Sequence, residues 1–225
     1  MEWKTIFGIA VAGLIAIVVG ILATPKTPME ERTDLPWRIT AHPDGSSEVF
    51  GLTLGSSTLT DAIRKIGEQP EITLFVSPEG EKTVEAFFEE VKLGGIRAKM
   101  VITAALGKDR IEKIYERGLR ISKSSSGNRK VELHPDDLTL VKHTPIAAIT
   151  YLPHYDLDAE TVIRLFGTPA KRIQEREKPI VHWLYPEKGL DIALSSEEKD
   201  VLQYVMPSRF EALSAPLERS GITLD

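Results

Sequence analysis

Apolar residues run unbroken from Ile6 to Ala23, 18 positions with no charge and no strongly polar side chain. Wound as a helix, that run extends about 27 Å, close to the thickness of a bilayer's hydrocarbon core. Trp3 and Lys4 stand at its start and Pro25-Lys26 at its end, residue types that anchor at the membrane interface and stop a helix. Residues 1–24 are therefore expected to be a transmembrane anchor. A cleaved signal peptide is the rival reading, but its apolar region is usually shorter and closes on a small-x-small site, whereas Ile21-Leu22-Ala23 offers one small residue. Gly8, Ala12, Ala16 and Gly20 recur every fourth position, a stripe along which a second membrane helix can approach, although such helices are rich in Gly and Ala in any case. Lys4 stands against Lys26, Arg32 and Arg38 on the other side, a bias that taken literally favours a cytoplasmic domain. A very short tail before a long apolar run is instead the layout of a signal anchor. The expectation is a single-pass inner-membrane protein with its soluble part in the periplasm.

Beyond the anchor the pattern changes period. Residues 25–43 are polar and carry Pro25, Pro28, Pro36 and Pro43, as a linker would, and Trp37 is the first large apolar side chain placed to enter a core. Phe50-Gly51-Leu52-Thr53-Leu54 alternates like a strand. Thr58 follows as a cap, then Leu59, Ala62, Ile63 and Ile66 at helical spacing, Gly67 as a stop and Pro70 as a breaker. The same grammar returns a hundred residues on, with Ile149–Leu152 as a strand, Asp158 as a cap, Ala159, Val162, Ile163 and Phe166 as a helix face, Gly167 as the stop and Pro169 as the breaker. Three strand-like runs follow each helix: Ile72–Val76, Val84–Val91 and Ile96–Thr103 in the first half, Ala170–Gln174, Ile180–Tyr185 and Leu190–Leu194 in the second. The expected class is α+β, short helices packed on antiparallel sheet, with one half at 44–145 and a similar one at 146–225. Strand, helix, glycine and proline in that order also arise without duplication.

The stretch Asp158-Ala159-Glu160-Thr161-Val162-Ile163-Arg164-Leu165-Phe166-Gly167-Thr168-Pro169, with the aromatic strand Val181-His182-Trp183-Leu184-Tyr185 after it, resembles the SmpA/OmlA family. That family includes the BamE component of the outer-membrane assembly machinery, and its fold is similar to the repeated unit of β-lactamase inhibitory protein. The match covers about 50 residues of the second half, and only a loose copy stands at Ile63 to Pro70. The chain departs from the family in lacking a lipidated cysteine and in carrying the apolar N-terminal run. The resemblance implies a small layered fold and a binding or scaffolding role in the Gram-negative envelope.

Composition narrows the chemistry. A net charge of −5 and a pI near 5.7 argue against a general nucleic-acid binder. The absence of cysteine excludes disulfides, thiolate zinc sites and a cysteine nucleophile. Gly107-Lys108 lacks the rest of a phosphate loop, and Gly55-Ser56-Ser57 is not a nucleophile elbow. The histidines at 42, 134, 143, 154 and 182 form no metal-binding pair. His154 with Asp156 and Asp158 has suitable ligand types, but Asp158 is already accounted for as a cap. Glu85, Glu89 and Glu90 beside Phe87 and Phe88 read as the wet side of an amphipathic strand. No cofactor is expected.

Two groups remain as candidate binding residues. Lys108 to Arg117 has Ile111, Ile114 and Tyr115 at helical spacing, and after it Arg117, Arg120, Lys123, Arg129 and Lys130 fall within fourteen residues that contain no acid, around the turn Ser124–Asn128. Such a hairpin can meet an anionic headgroup, a glycan phosphate or an acidic protein, or it can simply be solvated. Trp183, Tyr185 and Tyr204, at alternate positions on adjacent strands, put aromatic rings on one sheet face, which is core if a helix covers it and a docking surface if not. The expected function is envelope protein binding, as a scaffold or assembly factor for an unidentified envelope protein. A hydrolase or transferase with a site between the halves, and an inhibitor of a periplasmic enzyme, are the alternatives.

Overall fold

The computed structural model describes residues 32–123 and 127–224. The apolar run at 6–23, its small-residue stripe, residues 25–31 of the linker and the hairpin tip at 124–126 lie outside the described residues. Among the described residues no helix is long and apolar enough to cross a membrane.

Local chemistry fixes the elements. Thr40–Ala41 (β1), Ser47–Val49 (β2) and Leu52–Thr53 (β3) form a small antiparallel sheet. Helix α1 (Leu59–Ile66) opens on a capping box: the Thr58 hydroxyl accepts from the Asp61 amide, and the Asp61 carboxylate accepts from the Thr58 amide at 2.9 Å. It closes on Gly67 at φ 81°, whose amide donates to the Ile63 carbonyl. A meander follows, β4 (Glu71–Val76), β5 (Lys82–Leu93) and β6 (Ile96–Ala104). Next come α2 (Lys108–Glu116), the hairpin β7 (Arg120–Lys123) and β8 (Arg129–Glu132), and α3 (Pro135–Lys142). Strand β9 (Ile146–Pro153) leads into α4 (Ala159–Phe166), whose cap Asp158 accepts from the Thr161 amide at 2.6 Å and whose last turn ends at Gly167. The second meander is β10 (Lys171–Gln174), β11 (Ile180–Tyr185), β12 (Leu190–Ser195) and β13 (Val201–Val205), followed by α5 (Phe210–Ser220) and β14 (Ile222–Leu224).

Among the described residues the fold is α+β, five short α-helices on a large antiparallel sheet. Its eleven strands run in the order β14-β10-β11-β12-β13-β9-β6-β5-β4-β8-β7. Strand β9 joins the two meanders, with Ile149 opposite Ile102 of β6 on one side and Tyr204 of β13 on the other. Residues 33–225 form one unit. Each of the six strand runs read after the two helices is a strand here. The pattern Phe50–Leu54 is not one strand: Phe50 and Gly51 form a two-residue hairpin turn between the paired residues Val49 and Leu52, and only Leu52–Thr53 is extended.

The two faces of the sheet differ. Leu74, Phe88, Met100, Ile149, Tyr151, Leu202, Tyr204, Ile192 and Trp183 face the helices and the small sheet, and all are buried. A bulge in β5 keeps this alternation: Phe88 pairs with Met100 but Val91 pairs with Ala98, so the exposed Glu89 and Glu90 are looped past and Val91 points inward again. On the opposite face α5 lays Phe210, Leu213 and Leu217 over Ile173, Leu184 and Val205. Further along that face Phe75, Glu85, Phe87, Lys99, Val101 and Thr150 are half-buried.

The Phe50 turn pins the small sheet to the large one. Phe50 adopts φ 57° and Gly51 φ 69°, and Phe50 is the one non-glycine with positive φ among the described residues. Both signs suit the primed turn that a two-residue hairpin requires, but a left-handed backbone costs a residue with a Cβ about 1–2 kcal/mol. The fully buried ring offsets this by stacking 4.9 Å from Tyr151 and 5.5 Å, edge-on, from Tyr204. Phe50→Ala is expected to destabilise the protein by about 3–5 kcal/mol. Phe50→Gly should cost about 1 kcal/mol less than Phe50→Ala, the reverse of the usual ranking, because only the backbone strain is relieved. Urea unfolding of the two variants checks the order.

Candidate functional site

The basic residues of the hairpin do not converge on one site. Arg117, at the end of α2, gives a two-pronged hydrogen bond to Asp137 of α3, Nε to Oδ2 at 3.2 Å and Nη2 to Oδ1 at 2.5 Å. Asp137 is 4% exposed, so Arg117 serves as the counter-charge of an interior carboxylate. The pairing holds the guanidinium pKa above its ordinary value, first through the hydrogen bond and then through the Asp137 charge. Arg129 on β8 reaches the Tyr115 hydroxyl at 3.5 Å, and the Lys130 ammonium sits 5.5 Å from the centre of the Phe75 ring.

Arg120 and Lys123 remain on β7, whose four residues are all exposed. Arg120, Ser122, Lys130 and Glu132 share a face with Glu71 and Thr73 of β4, lining a shallow groove of about 400 Å³. Two carboxylates and two cations alternate there, so the groove has no single sign of charge. The other face of β7 carries Ile121, 54% exposed, with Leu119 just before the strand at 56%. These are the two most exposed large apolar side chains among the described residues.

Trp183, Tyr185 and Tyr204 are buried on the helix-covered face. The Tyr185 ring lies 6.4 Å from Phe166 of α4, and its hydroxyl donates to the Gly167 carbonyl at 2.9 Å. Burial pushes the Tyr185 phenol up to about 12. The Tyr204 hydroxyl donates to the Pro36 carbonyl at 2.9 Å, which ties the chain beside Trp37 to the sheet centre.

One polar cluster has no counterpart in the sequence reading. His182 of β11 places Nδ1 at 2.8 Å from Asp191 of β12 and Nε2 at 3.0 Å from Glu175, just past β10. Register explains the meeting: Leu184 pairs with Asp191 and His182 with Ala193, so His182 and Asp191 are diagonal neighbours on one face. Burial alone lowers the His182 pKa, but the hydrogen bonds and charges of Asp191 and Glu175 outweigh it, and the net shift is upward. Burial raises the Asp191 carboxyl, against the His182 hydrogen bond and charge. The available signal was a single polar residue in each of two otherwise apolar runs, Val181–Tyr185 and Leu190–Ile192.

The other histidines are dispersed. His134 caps α3, His143 closes it, His42 lies beside the small sheet, and His154 is exposed after β9. Asp158 caps α4, and Asp156 pairs with Lys199 at 2.8 Å. Among the described residues no group of three or more His, Asp or Glu is placed to hold a metal ion. No family model, curated protein or solved structure matches the chain.

Two outcomes follow from these contacts. The raised His182 pKa means that its stabilising contribution is complete below the unfolded value near pH 6.5 and is lost as pH climbs through the folded value. His182→Gln should therefore cost on the order of 3 kcal/mol at pH 6 and progressively less above pH 7, measured by urea unfolding across that range. Arg117→Ala, which strands the buried Asp137, should lower the thermal midpoint, whereas Arg120→Ala should leave it unchanged in the same calorimetric experiment.

Proposed function

We propose that the chain is a membrane-held binding protein of the bacterial envelope, acting as a scaffold or assembly factor for another envelope protein. The observation that carries this reading is the contrast between its interior and its edge. The His182 cluster, Asp137 and the aromatic rings are enclosed in packing or in fixed pairs, while β7 presents a bare strand edge with exposed apolar and basic side chains. A chain built this way offers a surface to hold something rather than a cleft in which to transform it.

Several features support the finer parts of the proposal. The 18-residue apolar run at 6–23 supplies the anchor, in the inner membrane with the domain in the periplasm, and Gly8, Ala12, Ala16 and Gly20 offer a pairing stripe. The helices α1 and α4 have equal length, polar caps and terminal glycines, and each precedes an antiparallel meander. That parallel supports two SmpA/OmlA-like units in tandem.

A reporter active only outside the cytoplasm, fused after Asp225, should give signal, and one active only inside should not. Crosslinking in intact cells followed by recovery from solubilised membranes should yield a specific partner. Signal from the inside reporter, or recovery of nothing above background after crosslinking, would reject the reading.

A further inference from the structure

The β7 edge is built to accept an added strand, and its side chains specify what that strand must carry. The sheet ends there: β8 pairs with β7 on one side, and no strand pairs with its outer side among the described residues. Every second residue of such an edge directs its amide and carbonyl outward, a template for another extended chain. Edge strands usually limit this by being short, by charged side chains, by proline or by cover from a loop or helix. Strand β7 is four residues long and carries Arg120 and Lys123, which repel a strand of like charge but not one of opposite charge. Here the chain from 119 to 123 has no proline, all four residues of β7 are exposed, and Leu119 and Ile121 stand open beside the edge.

Charge selects the occupant. The protein as a whole is acidic at −5, yet between Arg117 and Lys130 there is no acid. Arg117 is spent on Asp137, Arg129 reaches the Tyr115 hydroxyl and Lys130 lies against Phe75. Arg120 stands across from Glu132 and Lys123 across from Arg129, and neither Arg120 nor Lys123 is within ion-pair distance of an acid among the described residues. A second copy of this edge is a poor occupant. Antiparallel pairing of two such edges sets Ile121 against Ile121 and Arg120 against Ser122, and gathers both Arg120 and both Lys123 side chains within a few residues of sheet, where their charges repel.

We infer that β7 is a strand-addition site for an extended, acidic segment of a partner protein, an inference that rests on the binding role proposed above and specifies its partner. The pattern of that segment follows from the pleat. Opposite Lys123, Ser122, Ile121, Arg120 and Leu119 an antiparallel strand presents an acid, a small polar residue, a β-branched apolar residue, an acid and an apolar residue, as in Glu-Thr-Val-Glu-Val. Alternation sends the apolar residues of that strand to the side of Leu119 and Ile121. Main-chain hydrogen bonds supply the attachment, and the two charge pairs and the apolar contacts supply the choice of sequence.

The probe is the peptide Gly-Ser-Glu-Thr-Val-Glu-Val-Ser-Gly, titrated against the full chain in a non-ionic detergent and followed by fluorescence anisotropy and amide hydrogen exchange. Binding should slow exchange within residues 119–123, and the peptide with both Glu changed to Lys should not bind. The double variant Arg120→Glu, Lys123→Glu should weaken the first peptide by about tenfold and admit the second, a charge swap that misfolding cannot produce. Absence of protection in residues 119–123 at millimolar peptide overturns the proposal, as does protection confined to another part of the sheet. Equal protection by phosphatidylglycerol vesicles in place of the peptide also overturns it, by assigning the edge to an anionic surface. If the crosslinked partner is recovered undiminished by the double variant, the strand-addition site is wrong while the binding role stands. If no partner is recovered with either form, it is the binding role that fails.

Discussion

Strand β9 has hydrogen-bonded neighbours on both sides, and that double pairing is the constraint on which the architecture rests. A strand in this position satisfies its backbone donors and acceptors only when β6 and β13 are both present and in register. A slip of one residue would turn Ile149 and Tyr151 away from the core and bring Thr150 into it. The floor made by Tyr151 and Tyr204 is also what receives the Phe50 ring, so the left-handed backbone of that turn persists because β9 and β13 are adjacent. The pairing of two meanders and the docking of the small sheet are thus one event in space.

The acidic side chains follow a similar economy. Asp137 is answered by Arg117, Asp191 by His182, and the buried Asp200 by two backbone amides, Leu157 at 2.5 Å and Ser195 at 3.0 Å. Asp137 and Asp200 each tie together separate segments, α2 with α3 and the chain before α4 with that before β13, whereas Asp191 and His182 join neighbouring strands. In all three an interior carboxylate is met by at least one donor. Those commitments remove Arg117 and His182 from the set of groups free to act on anything outside. In the binding role proposed above, recognition falls to the margin of the sheet, where β7 has no strand on its outer side among the described residues.

The parts of the fold that were legible in the sequence are those decided locally. Thr58 and Gly67, Asp158 and Gly167 mark the ends of α1 and α4 because a cap and a left-handed stop are matters of a few adjacent atoms. The strands of the first meander were readable because one face is buried and the period shows, while β11 and β12, covered on both faces over part of their length, were readable as short apolar runs. Phe50–Leu54 misled for the same reason: alternation of Phe50, Leu52 and Leu54 imitates a strand, while the turn at Phe50-Gly51 depends on rings a hundred and more residues away. Helix α5 was hidden by Pro216 inside its pattern. The His182 cluster was hidden because diagonal neighbours are set by register, which no single run encodes. Among the basic residues the sequence showed five cations in one stretch, but only packing tells that Arg117 belongs to Asp137.

The bond from Tyr204 to Pro36 spans 168 residues of chain, and those from Ser208 to Gly45 and from Ser47 to Val205 span 163 and 158. The start of the domain is therefore fastened by nearly its last strand. During synthesis the small sheet emerges first but finds only the Tyr151 half of its seat until β13 has left the ribosome, so its apolar turn stays incompletely covered while most of the domain is made. Such a chain matures late and all at once, and the interval before closure is when it is most vulnerable to proteases and most in need of a chaperone's cover.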